Sequence, residues 1–458
     1  MYTGIDGRKG QVAWNKLPIE KTNKVKNHIN LFPRVESHYC RHDSSKQYLS
    51  SDLNISIMYR LYCEQIKTEN YMISPEHQEI PVNINIYRKI FNEYDPKLGF
   101  YIPKKDQCTK CNIFKAASEE QQILLRPEWE QHKEREKEAM TSKTEDKQKA
   151  IDNKGVNFRS ITFDLQAILN LPYAGDSQIY YMRKLSAYNF TIFENPNAHG
   201  YCYLWDESNG SKGSSEIGSC ILQYLYSLPD SVSHVSTFSD TCGGQNRNKN
   251  VAAAMLYAVS NIDHLKIIDM KFMESGHSYL EADSMHSTIE RARKHKKIYT
   301  TQEWSLLLQT ARQKPRPYNV KTNDFTAFYD LQDLSSKLCW NRFVDGTANQ
   351  KMKWLLVKWL RFDKENPYLI KFKYKLSQDD FYTIDVSKKN VSFLELAPKY
   401  KKQQPISEEK KKDLMKLLKD GVIPPIYSHY YRSFKCYKKS NHVPLNSEKS
   451  EETDDENY

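Results

Sequence analysis

Residues 235–246, VSTFSDTCGGQN, place one acid and two glycines directly after a short apolar run. The pattern predicts a buried strand that ends on Asp240, a glycine turn, and an Ala-rich helix over residues 251–259. In α/β proteins, the carboxyl end of a strand beside such a turn is where metal ions and phosphates bind. A helix N-cap is the alternative role for this acid. The candidate phosphate contacts in the turn are Gly243, Gly244 and Asn246.

A second chemically rich stretch, residues 276–290, offers three carboxylates and two histidines. Asp283 and Glu290 are seven residues apart and would share one face of a helix. We prefer Asp283 as a metal ligand and keep Glu281 and Glu290 in reserve. His277 and His286 would orient water, contact phosphate or bind metal, and the alternative for His277 is a cap or a packed polar corner. The basic run that follows is a candidate phosphate clamp or a solvated helix face; its members are Arg291, Arg293 and Lys294.

The elements around these acids alternate in a recognisable order. Predicted strands cover residues 160–165, 184–193, 201–205, 232–239 and 265–273, and predicted helices cover residues 217–228, 251–259 and 283–296. Three strands joined by hairpin-type turns and then βα crossovers predict a mixed sheet with helices on its faces. The order resembles the ribonuclease H-like fold of nucleases, integrases and transposases.

The fold resemblance implies where the acids belong. In that fold they lie on the first strand, at the end of the fourth strand and at the start of a late helix, which correspond here to Asp164, Asp240 and Asp283. Clustered carboxylates repel one another unless a cation neutralises them. Two Mg²⁺ or Mn²⁺ ions suit such oxygen ligands and would promote phosphodiester cleavage or strand transfer.

Sequence blocks at residues 36–41, 103–111, 238–246, 276–283 and 405–414 also resemble a large uncharacterised family of transposon-related animal proteins. The resemblance spans roughly residues 30–435. It implies a DNA-acting transposase-type core, and enzymes of this kind commonly work as dimers or larger assemblies. The family often has Gly-His-Thr-His where this chain has Gly276-His277-Ser278-Tyr279, so the second histidine is missing here.

Cys108 and Cys111 have the CxxC spacing of two ligands to a structural zinc ion. Two buried cysteines without a metal are the alternative. The other half of a zinc site is predicted among His38, Cys40 and His42, with His38 plus Cys40 or Cys40 plus His42 both open. Such a zinc ion would staple a mostly helical N-terminal region that has few apolar residues.

The overall composition limits the class of protein. The 458 residues are 39% hydrophobic and carry a net charge of +11 despite an acidic tail. A basic body favours a polyanion partner, DNA first, although solubility alone explains a charge of this size. No 18-residue apolar run or signal peptide is visible, so we expect no membrane partner, no secretion, and a nuclear or cytoplasmic protein. No small organic cofactor is expected.

The predicted organisation is an N-terminal region (1–125), a charged helical connector that we expect to be exposed (126–154), a five-stranded ribonuclease H-like core (155–312), a C-terminal α+β region (313–440) and a disordered acidic tail (441–458). Three functions follow from it. They are an active transposase-like enzyme, a catalytically inactive nucleic-acid- or protein-binding relative, and a zinc-stapled interaction protein whose acids are caps and turns.

Overall fold

The computed structural model describes residues 17–34, 47–50, 52–100, 108–154, 156–341, 343–386 and 395–437. The chain divides into two compact units. One contains Met1–Pro103 and Asp176–Arg183, and the other contains Lys104–Gly175 and Lys184–Tyr458. Within the described residues, no helix is both long and apolar enough to cross a membrane. The predicted boundaries at residues 125, 154, 312 and 440 stay a prediction.

The first unit is mainly helical. Its elements are α1 (Ile19–Asn30), β1 (Gln47–Leu49), α2 (Ile55–Asn70), α3 (Ile84–Asn92) and β2 (Leu98–Phe100), with β1 and β2 paired in parallel. Helix α2 begins after Asn54, whose side chain accepts a hydrogen bond from the Ile57 amide. The core contains the buried His28, with Nδ1 2.8 Å from the Tyr87 hydroxyl and Nε2 3.0 Å from the Tyr181 hydroxyl.

The second unit holds the predicted strands and helices. Its helices are α4 (Thr109–Ala116), α5 (Glu119–Asp152), α6 (Ser214–Tyr226), α7 (Lys249–Asn261), α8 (Glu281–Arg293), α9 (Thr301–Thr310), α10 (Leu331–Ser336), α11 (Glu408–Lys419) and α12 (Ser428–Ser433). Its strands are β3 (Phe158–Leu165), β4 (Leu169–Leu171), β5 (Leu185–Glu194), β6 (His199–Asp206), β7 (His234–Ser239), β8 (Ile267–Phe272), β9 (Asn319–Thr322), β10 (Phe343–Val344), β11 (Thr347–Lys351), β12 (Trp359–Asp363), β13 (Leu369–Lys373), β14 (Tyr382–Asp385), β15 (Ile406–Ser407) and β16 (Cys436–Tyr437).

A ten-stranded mixed sheet organises this unit, in the order β14-β13-β12-β8-β7-β3-β5-β6-β9, with β4 paired to β5. Strands β3, β7 and β8 are parallel to one another, and β5 is antiparallel to both β3 and β6. The prediction of a mixed sheet flanked by helices is therefore confirmed, but its size of five strands is wrong. The C-terminal strands predicted as a separate region extend the same sheet, since β12 pairs with the edge of β8 from Trp359↔Lys271 onwards.

The two faces of the sheet differ in polarity. One face carries the main apolar core, in which Ile161, Phe163 and Val235 pack with residues of α6, α7 and α10. On the other face, Ser236 donates to Asp146 of α5 over 2.5 Å, and Thr162 accepts from the Ala282 amide of α8 over 3.2 Å. Side chains alternate along a strand, so every second residue of β3 and β7 faces α5 and α8.

Helix α5 covers the predicted charged connector, but the expectation that it is exposed is wrong. His132, Ala139, Lys143 and Ala150 are buried on it. Its inward charges are paired, as with Asp146, which accepts from Lys271 Nζ of β8 over 2.6 Å. A charged helix can lie against a sheet when the polar sheet face supplies partners for its charges.

Candidate metal centres of the sheet-forming unit

Among the described residues of this unit, two groups of side chains could each hold a metal ion. One consists of Cys108, Cys111, His132 and His277, all buried, and the other of Asp164, Asp283 and His286, all partly exposed. In each group the candidate ligand atoms lie within 4.8 Å of one another.

The first group, which we call the Cys2His2 centre, is assembled from three elements. Cys108 precedes α4 and Cys111 lies in its first turn, His132 lies on α5, and His277 lies in the loop between β8 and α8. Cys108 Sγ is 3.0 Å from His132 Nε2, Cys111 Sγ is 3.4 Å from His277 Nε2, and the two Nε2 atoms are 3.1 Å apart. Burial, together with the neighbouring Cys108 thiol, raises the pKa of the Cys111 thiol. The group could hold a metal ion such as zinc.

Carboxylates lie behind both histidines of the Cys2His2 centre. His132 Nδ1 is 3.0 Å from Glu274 Oε1. His277 Nδ1 is 3.1 Å from Glu136 Oε1, at ion-pair distance but without hydrogen-bond alignment. Burial favours the neutral form of Glu274, but Lys358, 2.6 Å away, and Arg135 outweigh it and lower the pKa of this carboxyl. Both imidazoles therefore face the centre through Nε2, as metal-ligating histidines with carboxylate partners do.

Gly276 explains why the loop can bring His277 to the centre. Its φ of +79° lies in the left-handed region, which favours glycine. A Cβ at this position would lie 2.7 Å from Cα of Cys108, a backbone atom. Gly276 therefore supplies the left-handed backbone conformation and the close contact with Cys108, and the next residue, His277, supplies a candidate metal ligand.

The second group, the carboxylate group, joins the first core strand to the start of α8. Asp164 is near the end of β3, and Asp283 is in the first turn of α8, where its Oδ2 accepts from the Leu280 amide over 3.0 Å. His286 Nδ1 lies 3.9 Å from Asp164 Oδ2, and its Nε2 lies 2.7 Å from the Thr191 hydroxyl. Burial lowers the pKa of His286 to about 4, so this imidazole is neutral at pH 7.

Asp240 is outside the carboxylate group as defined by these distances. Asp240 follows β7 directly. Thr162 of β3 pairs with Phe238 of β7, and Asp164 and Asp240 each lie two residues further along, so they are level with each other and on the same face of the sheet. Asp240 Oδ1 accepts from Asn246 Nδ2 over 2.5 Å and from the Cys242 amide over 3.1 Å. Burial raises the pKa of the Asp240 carboxyl, while those hydrogen bonds and Arg247 oppose the shift.

The reserve acids have other partners. Glu281 forms ion pairs with Lys143 and Lys147 of α5, each at 3.1 Å, and Glu290 pairs with Arg293 and accepts from Gln166 over 3.2 Å. They do not belong to the carboxylate group.

Some of the residues predicted to contact phosphate are exposed to solvent, and others already contact neighbouring side chains. Gly243 is exposed and a Cβ there would meet nothing within 4 Å, but its φ is not in the left-handed region, and neither is that of Gly244. Asn246 is buried against Asp240. Arg291 and Lys294 are exposed at the end of α8.

The zinc prediction identified one half of the centre and not the other. Cys108 and Cys111 are brought together with His132 and His277, while the predicted partners His38, Cys40 and His42 lie outside the described residues. His132 was missed because it sits in the charged stretch interpreted as a connector. Its only sequence signal is a lone histidine among Glu and Lys, which is not specific. His277 was noticed, but as a neighbour of Asp283.

Comparison with known families gives a domain but no activity. Residues 192–354 match a domain of unknown function, DUF7869. The match covers about a third of the chain and includes Asp240, His277 and Asp283, but not the two cysteines, His132 or Asp164. No curated protein matches the chain. What is established is thus similarity to a domain family whose function is itself unknown.

Proposed function

We propose that the protein performs metal-dependent phosphoryl transfer on DNA, as cleavage or strand transfer, from a ribonuclease H-like core. The observation that carries the proposal is the approach of Asp164 and Asp283, with His286, at one edge of the sheet although they come from distant parts of the chain. Structural aspartates of a helix cap have no need of a second carboxylate within 4.8 Å.

The strand arrangement supports the fold resemblance. Strand β3, the first of the predicted core strands, lies between β5 and β7. Strand β7 is the fourth predicted core strand and is parallel to β3. The ends of these two parallel strands are therefore adjacent, and they carry Asp164 and Asp240 at the same level. The resembling fold has acids at these two places and at a late helix start, which here is the position of Asp283.

The chemistry of the residues suits such a role. Carboxylate oxygens are preferred ligands of Mg²⁺ and Mn²⁺. When bound, a pair of such ions activates a water or a 3′-hydroxyl and stabilises the leaving oxygen. The hydrogen bonds of Asp240 to Asn246 and Cys242 are of the kind that orient a ligating carboxylate. Arg291, on the same helix as Asp283, and Lys294, directly after that helix, are exposed and suit contacts to DNA phosphates.

The experiment is a plasmid-nicking assay of the full chain with Mn²⁺ and then Mg²⁺. We expect Asp164→Asn and Asp240→Asn each to lower the rate about 1,000-fold, equivalent to about 4 kcal/mol of transition-state stabilisation. Glu290→Gln removes a carboxylate from the same helix as Asp283 but outside the group, and should lower the rate less than about 10-fold. Full nicking activity in Asp240→Asn would overturn the catalytic assignment.

A non-catalytic DNA-binding relative is the second candidate. The position of Asp240 outside the convergent group favours it, since a two-metal site needs the third carboxylate. Salt-dependent DNA binding that is equal in the native chain and in Asp240→Asn, without nicking in either, would select this candidate.

A further inference from the structure

We propose that the protein binds one structural Zn²⁺ ion through Cys108, Cys111, His132 and His277, and that this ion holds the segment that leads into the helix bearing Asp283. The zinc site does not depend on the proposed phosphoryl transfer. It would serve a catalytic and a non-catalytic protein equally.

The four ligand atoms lie within 4.8 Å of one another, close enough to share one cation. Nδ1 of each histidine lies about 3 Å from a carboxylate oxygen, which leaves both Nε2 atoms on the side of the two cysteines. The two Nε2 atoms are 3.1 Å apart, close enough for both nitrogens to bind one metal ion. The two thiols add two further donor atoms to the same group.

Zinc fits this arrangement in size and chemistry. Tetrahedral zinc with bond lengths of about 2.0–2.3 Å places its ligand atoms about 3.3–3.8 Å apart. The observed separations of 3.0, 3.4 and 3.1 Å are close to that range. Two sulfur and two nitrogen ligands select zinc over Mg²⁺ or Mn²⁺. All four residues are buried, so no coordination position is left open for a substrate, as in structural zinc sites.

The surroundings balance the charges of such a site. Two thiolates and Zn²⁺ sum to zero, which leaves Glu274 and Glu136 to be neutralised by other groups. Glu274 has Lys358 and Arg135 as partners, and Glu136 has Lys133. Each buried charge near the centre therefore has a partner.

The same loop connects the Cys2His2 centre to Asp283. Gly276 packs on the Cys108 backbone, and the Tyr279 carbonyl accepts from Lys143 Nζ over 2.5 Å. Thr162 of β3 then accepts from the Ala282 amide, one of the free N–H groups at the start of α8. The segment from residue 276 to 283 is thus held by α4, α5 and β3, and the metal ion would be the strongest of these attachments.

The experiment measures zinc in the purified full chain by inductively coupled plasma mass spectrometry. We expect one zinc per chain, retained after dialysis, and less than about a tenth of it in His132→Asn and His277→Asn. His38→Asn and Cys40→Ser test the ligand pair that the sequence alone suggested, and Cys339→Ser, an exposed cysteine, is the matched control. Loss of zinc in the His38 and Cys40 variants with retention in the His132 and His277 variants would overturn the proposed ligand set.

A milder variant keeps the test valid if a ligand variant fails to fold. Glu274→Gln keeps a side chain of the same size next to His132 but removes its negative charge. We expect it to weaken zinc binding about 10–100-fold in competition with a chelator. Glu290→Gln is the control, since it lies outside the centre. An unchanged zinc affinity in Glu274→Gln would contradict the role of the carboxylate.

Hydrogen exchange tests the effect on the loop. Removal of zinc by a chelator should speed amide exchange in residues 276–286 at least about 10-fold and leave β5 and β6 unchanged. Equal exchange in the zinc-bound and zinc-free protein would overturn the proposal that the ion holds this segment.

Discussion

The Cys2His2 centre and the carboxylate group lie at two ends of one short segment, yet they are built differently. The first is buried, uses sulfur and nitrogen atoms, and has carboxylates behind its histidines. The second is partly exposed, uses mainly oxygen, and has one acid, Asp240, outside the close group. Closed sites with all positions filled by protein stabilise a fold, whereas open sites leave room for a substrate. Under the two proposals, a single loop is anchored at one end and available for chemistry at the other.

Removing ligands from the two sites should change the free energy of unfolding by very different amounts. The double variant Cys108→Ser, Cys111→Ser should lose at least about 4–5 kcal/mol of unfolding free energy, because a structural metal is lost. Asp164→Asn in the metal-free protein should change it by less than about 1 kcal/mol, because that carboxylate has the like charge of Asp283 beside it. Urea unfolding of both variants gives the comparison. A larger loss for Asp164→Asn would mean that the carboxylate group is the structural one.

The buried His28 of the first unit differs from the histidines of the Cys2His2 centre, because both of its ring nitrogens contact tyrosine hydroxyls. Burial lowers the pKa of His28 to about 4, below the ordinary value of 6.5. The folded state therefore favours neutral His28, so its stability is complete above pH 6.5 and falls as the pH drops from 6.5 to about 4. The loss reaches about 3 kcal/mol.

Urea midpoints measured between pH 7 and pH 4 by circular dichroism check this expectation. His28→Gln should flatten the pH dependence, and the exposed His77→Gln should leave it intact. A steep pH dependence that survives in His28→Gln would show that another group is responsible.

A comparison of Gly276 with Gly346 separates the cost of an unfavourable backbone conformation from the cost of a steric clash. Both have positive φ, +79° and +74°, but a Cβ at Gly346 would meet nothing within 4 Å. Gly346→Ala should cost about 1 kcal/mol, whereas Gly276→Ala should cost about 3 kcal/mol because the Cys108 backbone must also move. Thermal unfolding of the two variants measures the difference, and equal costs would mean that the approach to Cys108 carries no penalty.

Local patterns predicted much of the sheet-forming unit. The apolar run before Asp240 corresponds to β7, and the Ala-rich stretch after it lies in α7. The pairing of β12 with β8 was not predictable from local patterns. The paired residues, such as Trp359 and Lys271, are about 90 positions apart in the sequence. Strand character is a local property, but the choice of partner depends on the whole sheet.

The candidate sites show the same limit. Cys108 and Cys111 were predicted because two candidate ligands that are close in sequence have a characteristic spacing. His132 and His277 come from a helix and a distant loop, and only the packing of α5 on the sheet brings them together. The acids were found through the fold resemblance, which indicates positions but not whether Asp240 joins the other two. The transposase-like activity, DNA as partner, self-association and cellular location stay predictions.

Anomalous X-ray scattering from crystals of the full chain, with Mn²⁺ added, tests the division between the two sites most directly. We expect a peak at the zinc edge among Cys108, Cys111, His132 and His277, and a manganese peak beside Asp164 and Asp283. Zinc beside the two aspartates, or no metal among the cysteines and histidines, would contradict a closed structural site joined to an open one.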